Sequence, residues 1–165
     1  MKKILLVSLV ILVSAISLFA AKYVVGTSAD FPPFEYVQNG EFMGFDIDLI
    51  KAIAAEMGFE IEIRDMSFDS LIAALVSGNL DIVISGMTIT AERAEVVSFS
   101  KPYWTADQSV VVREDSDLTV TVLFGKHSIG VQTGTTGDIW VEDNLVTTKI
   151  LTGDFKRYET YTLAM

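Results

Sequence analysis

Residues 60–85 read EIEIRDMSFDSLIAALVSGNLDIVIS, and their changing periodicity decides the fold class. Glu60 to Arg64 alternates with the period of a strand. Phe68 to Ser77 shifts to helical spacing, with Leu71, Ile72, Leu75 and Val76 on one face and Gly78-Asn79 to end it. Leu80 to Ser85 is an apolar run of strand length, suited to burial in a parallel sheet. Strand, helix and strand in succession predict an α/β unit.

The residues before this stretch extend the same alternation. Lys22 to Thr27 (KYVVGT) reads as a first strand, and Ser28 to Tyr36 as a loop stiffened by Pro32-Pro33. Asn39-Gly40 is a turn dipeptide between Glu35-Tyr36-Val37 and Glu41-Phe42-Met43, which predicts a small hairpin. Phe45 to Met57 is predicted helical from Ile47, Ile50, Ala54 and Met57, with Gly58 as its stop. Ligands of such sheets bind outside the carboxyl ends of the strands, which here means the loops beginning at Ser28, Met66 and Ser85.

Downstream the pattern changes. Ser98 to Trp104 is expected as a loop and Gln108 to Arg113 (QSVVVR) as a strand. Glu114 to Asp117 is a polar break and the expected domain boundary. Ser128 to Gln132 then reads as a buried strand, Thr133 to Gly137 as a loop and Asp138 to Leu145 as a helix. A further strand is expected at Thr147 to Leu151, with a helix beginning from Tyr158 onward. No internal repeat is visible.

Composition bounds the function. The chain has 165 residues, enough for one domain plus part of another. Met1 to Ala21 reads as a secretory signal: Lys2 and Lys3 lead an apolar run from Ile4 to Val13, followed by the small residues of a cleavage site. Without Lys2 and Lys3 the net charge is −12, a surface that repels nucleic acid. The chain has no cysteine, so export brings neither a disulfide framework nor a lipid-modified cysteine anchor, and a freely diffusing periplasmic protein is expected.

The chemistry concentrates at 85–93, SGMTITAER. Ser85 and Gly86 let a ligand approach the backbone closely. Thr90 is placed to cap a short helix with Arg93 in its first turn. A cation there opposes the helix dipole, and a planar guanidinium suits a carboxylate through two parallel hydrogen bonds. The alternative is that Arg93 pairs with Glu92, Glu95 or another surface acid, and spacing alone leaves the two open. Gly134-Thr135-Thr136-Gly137-Asp138 offers an anion hydroxyls and backbone N–H groups, or is an ordinary helix cap; it lacks the pattern of a nucleotide loop. Phe31 and Phe68 sit near loop starts as candidate walls for a ligand, whereas Phe34 and Tyr36 read as packing residues. His127 is the single histidine and is expected on the surface, so no metal site and no cofactor is expected. Asp46 and Asp48 flank a helix start, where they favour the dipole.

Four ordered segments carry a resemblance: VVGTSADFPPFEY, GFDIDLIKAIAAEMG, the run from DMSFDS to SFSKPY, and IGVQTGTTGD. From Tyr23 to Asp138, and more loosely to the end, the chain resembles the periplasmic polar amino-acid-binding proteins. These are type II solute-binding subunits, family 3, of ATP-binding-cassette importers. The resemblance implies a periplasmic-binding-protein-like type II α/β fold: two α/β lobes with crossing hinge strands, closing over an amino acid. It divides the chain into a signal (1–21), a first lobe (22–112) and a partial second lobe (113–165). It further implies that Arg93 holds the α-carboxylate with Thr88 and N–H groups at Thr135 or Thr136, and that Gly86 and Thr88 receive the α-amino group. Phe31 and Phe68 would line the side-chain pocket, Ser28 or Asp30 would lie at its far end, Ser85 would join Gly86 at the loop, and Gln132 would touch ligand.

Relatives continue past Met165 to an acidic residue and a return crossover, so an incomplete second lobe is expected. The implied function is non-enzymatic: a free amino acid, with arginine, lysine or glutamine favoured, is bound in the periplasm and delivered to an inner-membrane permease by a protein monomeric when complete. Asp30 and Glu35 near the aromatic loop tilt the ligand toward a basic side chain. The alternatives are a periplasmic dehydratase of the cyclohexadienyl type on the same fold and an extracellular sensor domain.

Overall fold

The computed structural model describes residues 21–117 and 119–165. The signal expected at 1–21 lies outside the described residues except for Ala21.

Strand β1 (Lys22–Thr27) is the centre of a three-stranded parallel sheet, flanked by β5 (Glu60–Asp65) and β6 (Ile82–Val83). Between β1 and β5 run the short strand β2 (Asp30–Phe31), the hairpin β3 (Glu35–Gln38) and β4 (Glu41–Met43), and helix α1 (Phe45–Met57). Asn39 and Gly40 both take positive φ, 55° and 81°, as the twist of a two-residue hairpin turn demands. Gly58 ends α1 in the left-handed conformation, its N–H donating to the Ala54 carbonyl. A 3-10 turn (Phe68–Ser70) leads into helix α2 (Leu71–Val76), which returns the chain to β6.

Val25 of β1, Ile50 of α1 and Ile84 form the buried centre of this lobe, with Leu49, Ile61, Ile63 and Ile82 packed around them. Gly26 is required by packing: a Cβ there would stand 2.3 Å from Leu80 Cδ1 and 3.0 Å from Leu71 Cδ2, and both leucines are buried. The strand expected over Leu80 to Ser85 is regular only at Ile82–Val83. The run is nonetheless inside, since Ile84 N–H donates to the Gly26 carbonyl at 3.0 Å and Leu80, Ile84 and Ser85 are buried.

After helix α3 (Ala91–Ala94) the described residues are irregular until a 3-10 turn at Val120–Leu123. The strand expected over Gln108 to Arg113 does not form. Its β-branched composition expresses a preference that needs a ladder partner, no described residue supplies one, and Val111 is left 68% exposed. Glu114 and Asp115 form the turn of the polar break.

A second parallel pair, β7 (Ile129–Gln132) and β8 (Phe155–Tyr158), is joined by helix α4 (Thr136–Val141) and a π-helical turn (Glu142–Val146). Val141, Leu145 and Leu151 form its core against Ile129, Val131 and Phe155. The strand expected at Thr147 to Leu151 is absent. That segment is the return from the helix, with Lys149 at φ 59° and Leu151 making a single bridge to Gly125. The true partner of β7 was masked by its pattern: Lys156 and Arg157 stand together between Phe155 and Tyr158, so β8 does not alternate. Tyr158 accordingly ends a strand, and the last helix α5 is Tyr161–Ala164, capped by Thr160. No described helix is long and apolar enough to cross a membrane.

Candidate functional site

The carboxyl ends of β1, β5 and β6 are tied together by their own loops. Met66 N–H donates to the Thr27 carbonyl at 3.0 Å, Ala29 N–H to Asp65 Oδ1 at 2.9 Å, and Ser28 N–H to Ser85 Oγ at 2.9 Å. The three loops singled out by the strand order therefore meet, and Ser28 and Ser85 are both buried at their junction. Gly86 turns the backbone away at φ 53°, and a Cβ on it would come 3.9 Å from the Phe31 ring.

Arg93 lies at the centre of the facing surfaces. Thr90 caps α3 by accepting the Arg93 N–H at 3.2 Å, which places the side chain in the first turn. The guanidinium points inward and the residue is 7% exposed. Its Nη1 donates to the Thr88 carbonyl at 2.7 Å, its Nη2 reaches across to the Gly134 carbonyl at 2.8 Å, and it lies 5.6 Å over the Phe68 ring. No described ion pair includes it. The expected alternative of a surface pair with Glu92 or Glu95 is thus not what forms. Burial pushes the Arg93 pKa below the ordinary arginine value, with Glu92 opposing at a distance. A buried cation held only by carbonyl dipoles is an arrangement completed by an anion.

The second parallel pair supplies the opposite wall. Gln132 is buried, and its Nε2 donates to Asp30 Oδ2 and to the Glu159 carbonyl, each at 3.3 Å. Asp30 also accepts from Ser28 Oγ at 3.1 Å and from the Tyr161 N–H. Tyr161 stands edge-on to Phe31 with ring centroids 4.7 Å apart. In the Gly134–Asp138 loop the cap reading is realised: Thr135 Oγ1 accepts Asp138 N–H at 3.2 Å and donates to the Gln132 carbonyl at 2.9 Å. Asp138 reaches back to Gly134 N–H at 2.9 Å and takes Arg157 Nε at 2.7 Å. Thr136 Oγ1 is occupied by Gln108 Nε2 at 3.0 Å. The Thr135 and Thr136 hydroxyls therefore brace the wall, and the Thr135 and Asp138 N–H groups are bonded to the Gln132 carbonyl and to Thr135 Oγ1.

Hydrogen bonds link Ser28 to Ser85 and Asp30, and Asp30 to Gln132; Phe31 stands beside Gly86, and Arg93 joins Thr88, Phe68 and the Gly134 carbonyl. Sequence reasoning missed Tyr161 and Asp69. The Asp69 backbone packs so close to Gly134 that a Cβ there would stand 2.9 Å from Asp69 Cβ. It also misjudged two acids. Asp30 is committed to three protein donors. Glu35 is not at the surface: it is buried, and burial first, then the charge of Asp46, raises its carboxyl to about 9. Asp46 lies in the first turn of α1, as expected, and is buried. His127 is exposed, and no described cluster of His, Cys, Asp and Glu is arranged to hold a metal.

Comparison with known proteins identifies the family and the fold. Residues 23–161 match the bacterial extracellular solute-binding proteins, family 3. The arginine-binding extracellular protein ArtP of Bacillus subtilis is 48% identical over 114 residues, covering 68% of this chain and 44% of that protein. The ABC transporter arginine-binding protein 1 of Escherichia coli is 41% identical over 144 residues, covering 87% of this chain and 59% of that protein. Among solved structures, holo ArgBP of T. maritima superposes with a TM-score of 0.78 at 48% identity, over 87% of this chain and 62% of that one. The fold is thus the α/β type II periplasmic-binding-protein fold, and the chain spans about half the length of the curated relatives it matches.

Proposed function

Because the chain belongs to the bacterial extracellular solute-binding proteins of family 3, we propose that it binds a free polar amino acid in the periplasm for delivery to an inner-membrane ABC permease. The observation that carries this reading is Arg93, a buried guanidinium with carbonyl partners, no ion pair among the described residues, and Phe68 beneath it.

In this reading the α-carboxylate enters beside the Arg93 guanidinium, which offers it parallel N–H donors. Of the N–H groups at Thr135 or Thr136, that of Thr136 approaches from the other lobe, since Thr135 N–H is bonded to the Gln132 carbonyl. The α-amino group meets the Gly86 carbonyl and the Thr88 hydroxyl. Phe31 and Phe68 flank the side chain, and Ser28, Asp30, Ser85 and Gln132 line the remainder. Arginine, lysine or glutamine fits this combination of aromatic faces and polar ends, and the names of the arginine-binding relatives favour arginine. Residues 22–112 form the first lobe and 113–165 part of the second.

Calorimetric titration of the chain with arginine, lysine, glutamine and histidine tests the proposal. Saturable heat with one of them supports it, and no heat with any of them, with steady turnover of prephenate or arogenate, replaces it with the dehydratase. Phe31→Ala probes the pocket wall separately. Phe31 is half-buried and touches Phe34 and Tyr161 rather than the main core. The expected loss is about 1–2 kcal/mol in amino-acid affinity with little change in melting temperature. Melting that falls while affinity holds identifies Phe31 as a packing residue.

A further inference from the structure

Two acids behind the ligand loop have no part in the proposed binding scheme. Glu35, the first residue of β3, is 1% exposed, and Asp46, the second of α1, is 0% exposed. Each faces the turn after β6. The Ser85 hydroxyl donates to Glu35 Oε1 at 3.0 Å while accepting the Ser28 N–H at 2.9 Å. The Gly86 N–H donates to Asp46 Oδ2 at 2.7 Å, and the Tyr103 hydroxyl donates to the same oxygen at 2.8 Å. The second oxygen of each acid, Glu35 Oε2 and Asp46 Oδ1, is buried with no donor among the described residues. No described ion pair includes either residue.

Two ionised carboxylates offer only acceptors, so neither can satisfy the other, and as neighbouring like charges they repel. One proton on Glu35 converts an acceptor into a donor toward Asp46, its hydrogen-bonding neighbour, and removes the like-charge repulsion. We propose that Glu35 and Asp46 share one proton, carried on Glu35, and that this bridged pair is the positioning element that holds the Ser85–Gly86 turn in place for the ligand. The last clause rests on the binding function proposed above; the proton and the turn do not.

The charge environment agrees. The groups facing Glu35 are Asp46 from α1, Asp30 from β2, Ser85 from the turn and Tyr103 from the irregular segment; none is a cation. Burial and the Asp46 charge raise Glu35 to about 9 against only the Ser85 hydrogen bond. Tyr103 is driven the same way, by burial and then by its bond to Asp46, and stays a neutral donor. The sign of the pH effect follows. Between about 4.5, where Glu35 ionises in the unfolded chain, and about 9, the folded state carries the extra proton. Stability therefore falls as pH rises through that window.

The test uses the full chain as wild type, Glu35→Gln and Glu35→Ala. Infrared spectroscopy of the wild type at pH 7 is expected to show a protonated carboxyl band that fades near pH 9 and is missing from Glu35→Gln. The glutamine amide can donate toward Asp46 and accept from Ser85, so Gly86 N–H exchange should stay protected in Glu35→Gln and speed up at least tenfold in Glu35→Ala. Denaturant midpoints should drop between pH 5 and 9 in the wild type and stay level in Glu35→Gln. Absence of the band at pH 7, its persistence in Glu35→Gln, or equal Gly86 exchange in both variants overturns the proposal. The wild-type band and its pH response need no variant to fold. Failure of the wild type to bind arginine, with band and exchange as expected, counts against the binding function alone.

Discussion

Arg93→Ala is expected to weaken arginine binding by about 2–5 kcal/mol, the scale for removing one partner of a buried, hydrogen-bonded charge pair. The size follows from what surrounds the guanidinium. It is held by the Thr88 and Gly134 carbonyls at 2.7 and 2.8 Å, with the Phe68 ring against it. Burial already lowers its pKa, so the cation is maintained at a cost in solvation that a ligand carboxylate offsets. Alanine leaves that carboxylate dry and unpaired and cuts the link from α3 to the 134–136 loop. Arg93→Lys should recover only part of the loss, because one ammonium cannot hold two carbonyls and a carboxylate in a plane. Calorimetric titration checks both variants beside a thermal melt. Affinity within twofold of the wild type in a folded Arg93→Ala protein would exclude the carboxylate role.

Leu71→Ala should have the largest effect on stability, a loss of about 2–5 kcal/mol for a fully buried leucine. Leu71 is 0% exposed and starts α2 directly after the turn that carries Phe68. Its side chain also fills the space beside Gly26, where Leu80 stands on the other flank. Truncation leaves a cavity between β1 and α2 that these elements close only in part, since β1 is bonded on both sides. For a chain of this size the melting temperature should fall by roughly 10 °C. Below the melting range arginine affinity should change far less than in Arg93→Ala. A melt unchanged within a degree or two would mean the site collapses without strain, contrary to the packing argument.

Much of the first lobe was legible because its signals are local. The helix over Phe45–Met57 with its Gly58 stop, the Asn39-Gly40 hairpin and the Thr90 cap each depend on residues within a few positions of one another. The failures share a cause. Gln108 to Arg113 has strand composition but no ladder, and Phe155–Tyr158 has a ladder without strand alternation. In both, the deciding interaction is with residues distant in sequence.

The site divides along the same line. Sequence by itself determined the alternation of parallel strands and helices in the first lobe, hence which loops meet at one sheet edge, and it placed Arg93 in the first turn of a capped helix. Only the tertiary structure decided which candidates are buried and what each one bonds. Asp30 reads as a counter-charge until Gln132 and the Tyr161 N–H are found on it. Glu35 and Asp46, eleven positions apart and read as a ligand-facing acid and a helix-dipole acid, become one buried cluster because α1 packs back on β3. Periodicity is a property of neighbours along the chain, whereas desolvation and pairing depend on the neighbours that folding brings from elsewhere.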